Sequence, residues 1–188
     1  MLAVKSNSHL RRIAARWQRD GSSGNALVEF AMIAPLFFLL MFSIMEIGII
    51  FFAQSTLQHA TEIVARLIRT GQVQGQSLTQ TQVRQIICNN AAPLIPCNGN
   101  LYVDVRAFTN FGGVVFTPPL DGNGNVSGMN TFQPGVACNV VLVRSFYTWP
   151  VFTPVLTPFL KNMAGNKHLI YSASTFRNEP YSTGLSGC

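Results

Sequence analysis

The strongest pattern along the chain is an apolar run from Phe30 to Ala53 whose only ionisable member is Glu46. As a helix rising about 1.5 Å per residue it would cover about 36 Å, enough to cross a bilayer with some tilt. Pro35 removes one backbone hydrogen bond inside the run and predicts a bend of the kind that spans tolerate. Beyond Ala53 the apolar positions thin to a stripe. Leu57, Ala60, Ile63, Val64, Leu67 and Ile68 recur at helical spacing opposite Gln58, Thr61, Glu62, Arg66 and Arg69, with Gly71 as a C-terminal cap. Together the two patterns predict one helix from about Ala26 to Thr70, apolar all round in its lower half and on one face in its upper half.

After a Gly- and Gln-rich linker, Gly71 to Ser77, the residues Ser77-Leu78-Thr79-Gln80 have the form of a capping box that opens a short helix through Val83, Ile86 and Ile87. Period-two alternation then predicts strands at Leu101 to Ala107, in part of Val141 to Thr148, and at Leu169 to Phe176; Val114 to Phe116 is a candidate fourth. Pro118 to Gly135, with Asp121-Gly122-Asn123-Gly124-Asn125, reads as a long loop or hairpin tip. It holds too few carboxylates for a calcium site. Phe146 to Leu160 is uncharged but carries Pro150, Pro154 and Pro158 between aromatic residues, so it is expected as a covering loop or an apolar patch and not as a second span. The fold class is α+β: a long N-terminal helix packed on a small antiparallel sheet. The expected divisions are a leader over 1–24, a membrane helix over 25–53, its continuation over 54–71, and a small domain over 72–188.

Composition supports a membrane-associated chain, since 11% of the residues are charged, against about 25% in soluble domains. The net charge of +6 raises the question of nucleic acid. Its distribution argues otherwise. Lys5, Arg11, Arg12, Arg16 and Arg19 stand against Asp20 in the leader, and the remainder of the chain is close to balanced. A positive flank before a membrane helix holds that flank in the cytoplasm, so the mass beyond Ala53 is expected on the outer side, in a bacterium the periplasm. Leu10, Ile13, Ala14 and Trp17 fall at helical spacing in the leader and admit a basic amphipathic helix. Ala53-Gln54-Ser55 has the small-x-small form of a secretory cleavage site, but the apolar run is longer than such signals use. Glu46 falls near the outer limit of the hydrocarbon, where it is expected to reach the headgroups or to pair with a basic group on a neighbouring helix.

The head of the run carries a second signal. Gly24 closes the basic leader, and Glu29 follows five places later at the mouth of the apolar run. A glycine and a glutamate so placed resemble the class III signal of type IV prepilins. Glu29-Phe30 is similar to the Flp/Tad branch, and Asn178-Glu179-Pro180 to the ending of TadE-like proteins. Ala65-Arg66, Arg69-Thr70-Gly71-Gln72 and Leu101 to Arg106 resemble the same family. The resemblance implies that a prepilin peptidase cuts between Gly24 and Asn25 on the cytoplasmic side, that the helix is retained, and that Glu29 serves assembly. It implies a minor pseudopilin of a Tad (Flp, type IVb) pilus, used for adhesion or secretion. The partners would be the bacterial inner membrane, the peptidase, other pilin-like subunits and pilus assembly proteins, with no nucleic acid. The chain would cross the inner membrane once, its N-terminus cytoplasmic and its C-terminal domain periplasmic or carried into an extracellular pilus. Glu29 itself is read as a carboxylate at a helix start, where the dipole favours negative charge.

Cys88, Cys97, Cys138 and Cys188 all follow the membrane segment, and an even number on the oxidising side of a bacterial membrane predicts two disulfides. Three connectivities are open. Proximity and the intervening Pro93 and Pro96 favour Cys88 with Cys97, leaving Cys138 with Cys188. No close Cys or His pair has zinc-ligand spacing, and His59 and His168 stand alone, so neither metal nor cofactor is expected. There is no Gly-x-Ser-x-Gly elbow, phosphate loop or HExxH motif, and the chain is not expected to be an enzyme. Two function classes remain: the pseudopilin, and a membrane-anchored periplasmic binding or adhesive module outside any fibre.

Overall fold

The computed structural model describes residues 8–96, 99–129, 131–181 and 188, with backbone alone for 8–23. Helix α1 runs over Ser8–Arg69, α2 over Gln72–Gly75 and α3 over Gln80–Ala91. Strands β1 (Leu101–Phe108), β2 (Val140–Pro150) and β3 (Lys167–Arg177) form an antiparallel sheet in the order β1-β2-β3, and the one-turn helix α4 (Thr157–Leu160) lies between β2 and β3. The chain forms two compact units that divide between Met45 and Glu46.

In the first unit, α1 starts at Ser8 and not near Ala26, so the leader residues from Ser8 onward are helical and Pro35 lies well inside the helix. From Gly24 to Phe42 no residue is buried: Leu27, Phe30, Met32, Ile33, Leu36, Phe37 and Phe42 all face outward. Exposed apolar area on this scale is unfavourable in water by about 25 cal/mol per Å², and it is what a lipid-facing helix requires. The Gly24–Arg69 part of α1 is long and apolar enough to cross a membrane.

The second unit is organised on the upper half of α1. Ile50, Ala53, Leu57, Ala60, Val64 and Ile68 form a buried stripe against Val103 and Val105 of β1, Val141, Val143 and Tyr147 of β2, Ile170 of β3, and Val83 and Ile87 of α3. Each of the larger side chains contributes about 1.5–3 kcal/mol by leaving water. The packed unit begins at Glu46, inside the apolar run. The α3 cap lies later than predicted. Ser77 takes a left-handed turn conformation (φ 51°). Thr79 forms the capping box instead: its hydroxyl accepts from the Gln82 N–H, and its own N–H donates to the Gln82 side chain at 2.8 Å.

Among the described residues there are three strands; Val114 to Phe116 is not one of them and follows a 3-10 turn at Phe111–Gly113. The free edge of β1 is covered instead by the loop before β2: Val105 N–H donates to Thr131 O at 2.9 Å and Gln133 N–H to Val105 O at 2.8 Å. In the tip of that loop, Asp121 Oδ1 accepts from the N–H groups of Asn123 and Asn125, both at 2.9 Å. The segment expected as a loop over Phe146 to Leu160 is strand up to Pro150, because Phe146 to Trp149 alternate across the pleat opposite Tyr171 to His168.

The sheet face away from α1 is held by charge. Asp104 and Arg144 are cross-strand partners and both are buried. Arg144 donates to Asp104 Oδ2 from Nη2 at 2.6 Å and from Nε at 3.1 Å, and Arg106 adds a bond from Nε at 3.0 Å. The rest of both guanidinium groups is directed to the 109–135 segment: Arg144 Nη1 to Thr117 O at 2.6 Å, and Arg106 to Thr117 Oγ1 at 2.8 Å and Gly128 O at 3.0 Å. One aspartate therefore orders two arginines, which in turn hold a loop with little secondary structure of its own.

The C-terminal segment closes the upper end of α1. Glu179 N–H donates to Arg69 O at 2.9 Å and the side chains pair at 3.4 Å. Asn178 Nδ2 donates to the carbonyls of Pro134 and Val136, each at 3.0 Å. Gly71 has φ 77°, and a Cβ there would lie 2.5 Å from the Tyr181 ring, so only glycine fits. Burial pushes the Tyr181 phenol up, opposed by its bond with Asn178. Beside this closure Cys138 and Cys188 are joined in a disulfide with Cα atoms 5.3 Å apart. Cys88 is disulfide-bonded, and Cys97 lies outside the described residues.

Replacing Asp104 by Ala is expected to destabilise the second unit by about 3–5 kcal/mol, because it leaves a buried guanidinium uncompensated. A urea titration of the detergent-solubilised full chain, followed by near-ultraviolet circular dichroism, measures this. Replacing Cys138 and Cys188 together by Ser opens a loop with a sequence separation of 50. The chain-entropy estimate for a loop of that size is about 4 kcal/mol, to be read from the same titration under non-reducing conditions.

Candidate processing and assembly site

Because α1 begins at Ser8, Gly24 and Asn25 lie within a helix and not ahead of one. A Cβ placed on Gly24 would meet nothing within 4 Å, so packing gives no reason for glycine at this position. In a helix interior glycine costs about 0.5–1 kcal/mol relative to alanine. Gly48 is equally open, so openness alone does not single out Gly24. Its place before Glu29 and after the basic leader does.

Asn25 and Glu29 are one helical turn apart and exposed, and Asn25 Nδ2 donates to Glu29 Oε1 at 3.4 Å, a long and weak bond. The expectation that Glu29 sits at a helix start does not hold in the uncut chain. The first turn of α1 contains no acid, and the helix-dipole benefit falls off within a turn of the end. Among the described residues Glu29 therefore has a neighbouring amide and no cation.

Glu46 has a different environment. It is buried, and its two oxygens accept from the backbone N–H groups of Phe152 and Thr153 at 2.6 and 2.8 Å. The described residues give it two backbone donors that neither expected arrangement included. Its partners lie more than a hundred residues away in the chain, and the only sequence signal for them was an acid inside an apolar run. Backbone donors to a carboxylate satisfy a charge without importing a second one.

The Asp104, Arg106 and Arg144 cluster is committed to internal bonds, and the described residues contain no group of three or more His, Cys, Asp or Glu side chains able to hold a metal ion. Two segments that resemble the TadE-like family come together at the closure of α1: Arg69 to Gly71, and Asn178 with Glu179. A third, Leu101 to Arg106, supplies the strand that carries the buried ion cluster.

No curated protein matches the chain, and no solved structure matches it. The family model described as TadE-like protein matches residues 24–66, the stretch with Gly24, Asn25, Glu29 and Glu46, and leaves Arg69 to Gln72, Leu101 to Arg106 and Asn178-Glu179-Pro180 outside the match. The similarity to TadE-like proteins thus covers the membrane-type helix, from the glycine at the end of the leader to the stripe that packs on the sheet.

Proposed function

We propose that the protein is a minor pseudopilin of a Tad-type pilus system, non-enzymatic, anchored by α1 in the bacterial inner membrane with its leader in the cytoplasm and its small domain in the periplasm. The observation that carries this reading is the spacing of Gly24 and Glu29 at the head of the apolar run, inside the segment that matches the TadE-like family. The fold supports it: a single apolar helix continues into a small disulfide-bonded α+β domain.

On this reading a prepilin peptidase cuts after Gly24, and the cut changes the electrostatics of Glu29. The helix would then begin at Asn25, so Glu29 moves close to the positive end of the dipole and gains a new ammonium one turn away. An unpaired charge within a membrane helix costs about 2.5–3.5 kcal/mol on insertion scales, so a partner is needed where such helices bundle. The Asn25 ammonium fills that role, in the same chain or on the adjacent subunit. An inter-chain pair would set the register between neighbouring helices.

N-terminal sequencing of the membrane-extracted protein is expected to return Asn25 as the first residue; Thr56 as the first residue would replace this reading with a secretory signal. Glu29→Gln is expected to leave insertion and cleavage intact while lowering recovery with other pilus components after cross-linking. Wild-type recovery of a fully processed Glu29→Gln protein would remove the pairing role.

A further inference from the structure

The connection between β2 and β3, residues 151–166, holds three large apolar side chains in the open: Phe152 is 72% exposed, Val155 50% and Phe159 82%. It contains no acidic residue, and its one charged residue is Lys161. Two ties determine where this connection stands along α1. Glu46 accepts from the N–H groups of Phe152 and Thr153, which ties the start of the connection to a position inside the apolar run. The Gln54 side chain donates to the carbonyl of Tyr171, which ties β3 to the position just after the run ends. Between these ties Ile50 and Ala53 are buried under the domain, while Phe51 and Phe52 on the same turns are 73% and 65% exposed. The connection and the open face of the last turns of the run therefore lie at the same level on the helix.

We propose that the connection from Val151 to Lys161 is a second membrane-contacting element, seated in the outer leaflet beside α1. This rests on the reading of Phe30 to Ala53 as a membrane span. Phe152, Val155 and Phe159 enter the acyl boundary, and the exposed Lys161 and Lys167 reach anionic headgroups. Tyr171, also exposed, has the amphipathic ring enriched at membrane interfaces. Glu46 makes this seat tolerable. Irregular backbone at membrane depth leaves N–H groups unpaired, and the Glu46 carboxylate accepts from two of them while the same bonds satisfy its own charge. Lipid is favoured over a second copy of this chain because the flanking charges, Lys161 and Lys167, have one sign and the connection offers no acid to pair with their copies.

The test places p-benzoylphenylalanine singly at Phe152, Phe159, Phe42 and Val136 in the full chain, held in nanodiscs of phosphatidylglycerol and phosphatidylethanolamine. Photoadducts are read by mass spectrometry. Phe42 reports insertion of the run, and Val136, exposed beside the closure at the other end of the unit, reports the aqueous background. Lipid adducts at Phe152 and Phe159 should exceed those at Val136 several-fold, and Glu46→Ala should lower the Phe152 yield several-fold with the Phe42 yield unchanged. Lipid adducts at Phe42 with only background at Phe152 and Phe159 overturn the inference and leave the span standing. Chain-to-chain cross-links at Phe152 and Phe159 in place of lipid adducts overturn it in favour of a second copy. Background adducts at Phe42 as well overturn the span, and the inference with it.

Discussion

The second unit depends on one constraint: the upper half of α1 has a single apolar stripe that no lipid covers along its full length. From Leu57 to Arg69 the opposite face carries Gln58, Glu62, Arg66 and Arg69, so the stripe must be buried by protein. The sheet supplies that cover with the alternate residues of three strands, and α3 closes the side with Val83, Ile87 and Ala91. The cover reaches down to Ile50, inside the apolar run, and this overlap brings domain and membrane-type helix into the same stretch of chain.

Once one sheet face is committed to α1, the other needs a different solution. Asp104 provides it. A carboxylate between two arginines fixes guanidinium donors that point outward to Thr117 and Gly128, and so orders a long, turn-rich segment over the sheet. A buried charge held this way is weak as a source of stability and strong as a constraint, since removing any one partner strands the others. The upper end is closed by local fits of the same kind: Asn178 to two carbonyls, Glu179 to the end of α1, and the Tyr181 ring over a glycine.

The two carboxylates of the apolar helix show how position decides chemistry. Glu29 lies at the head of the apolar run, exposed, with an amide neighbour one turn away, where the proposed cut would create an ammonium. Glu46 lies where the domain overlaps the run and is satisfied by backbone donors from the β2–β3 connection. The first is open to a change of partner and suits a step in assembly. The second is closed, and ties a loop in place.

Periodicity alone was enough for the apolar helix and its stripe and for the three strands to within a few residues. Each of these is a property of neighbours in the chain, set by 3.6- and two-residue repeats. The α3 cap was misplaced by two residues because Ser77 and Thr79 are both good caps, and only the turn ending α2 decides between them. The start of α1 was placed too late because the spacing of Leu10, Ile13, Ala14 and Trp17 admits a leader helix but does not record that it joins the apolar run without a break. Tertiary structure alone decided the pairing of Asp104 with Arg144, the use of Thr131 to Gln133 to cover a strand edge, and the partners of Glu46. Those contacts join residues from tens to more than a hundred positions apart, and nothing in a local pattern records which distant backbone donor will meet a given carboxylate.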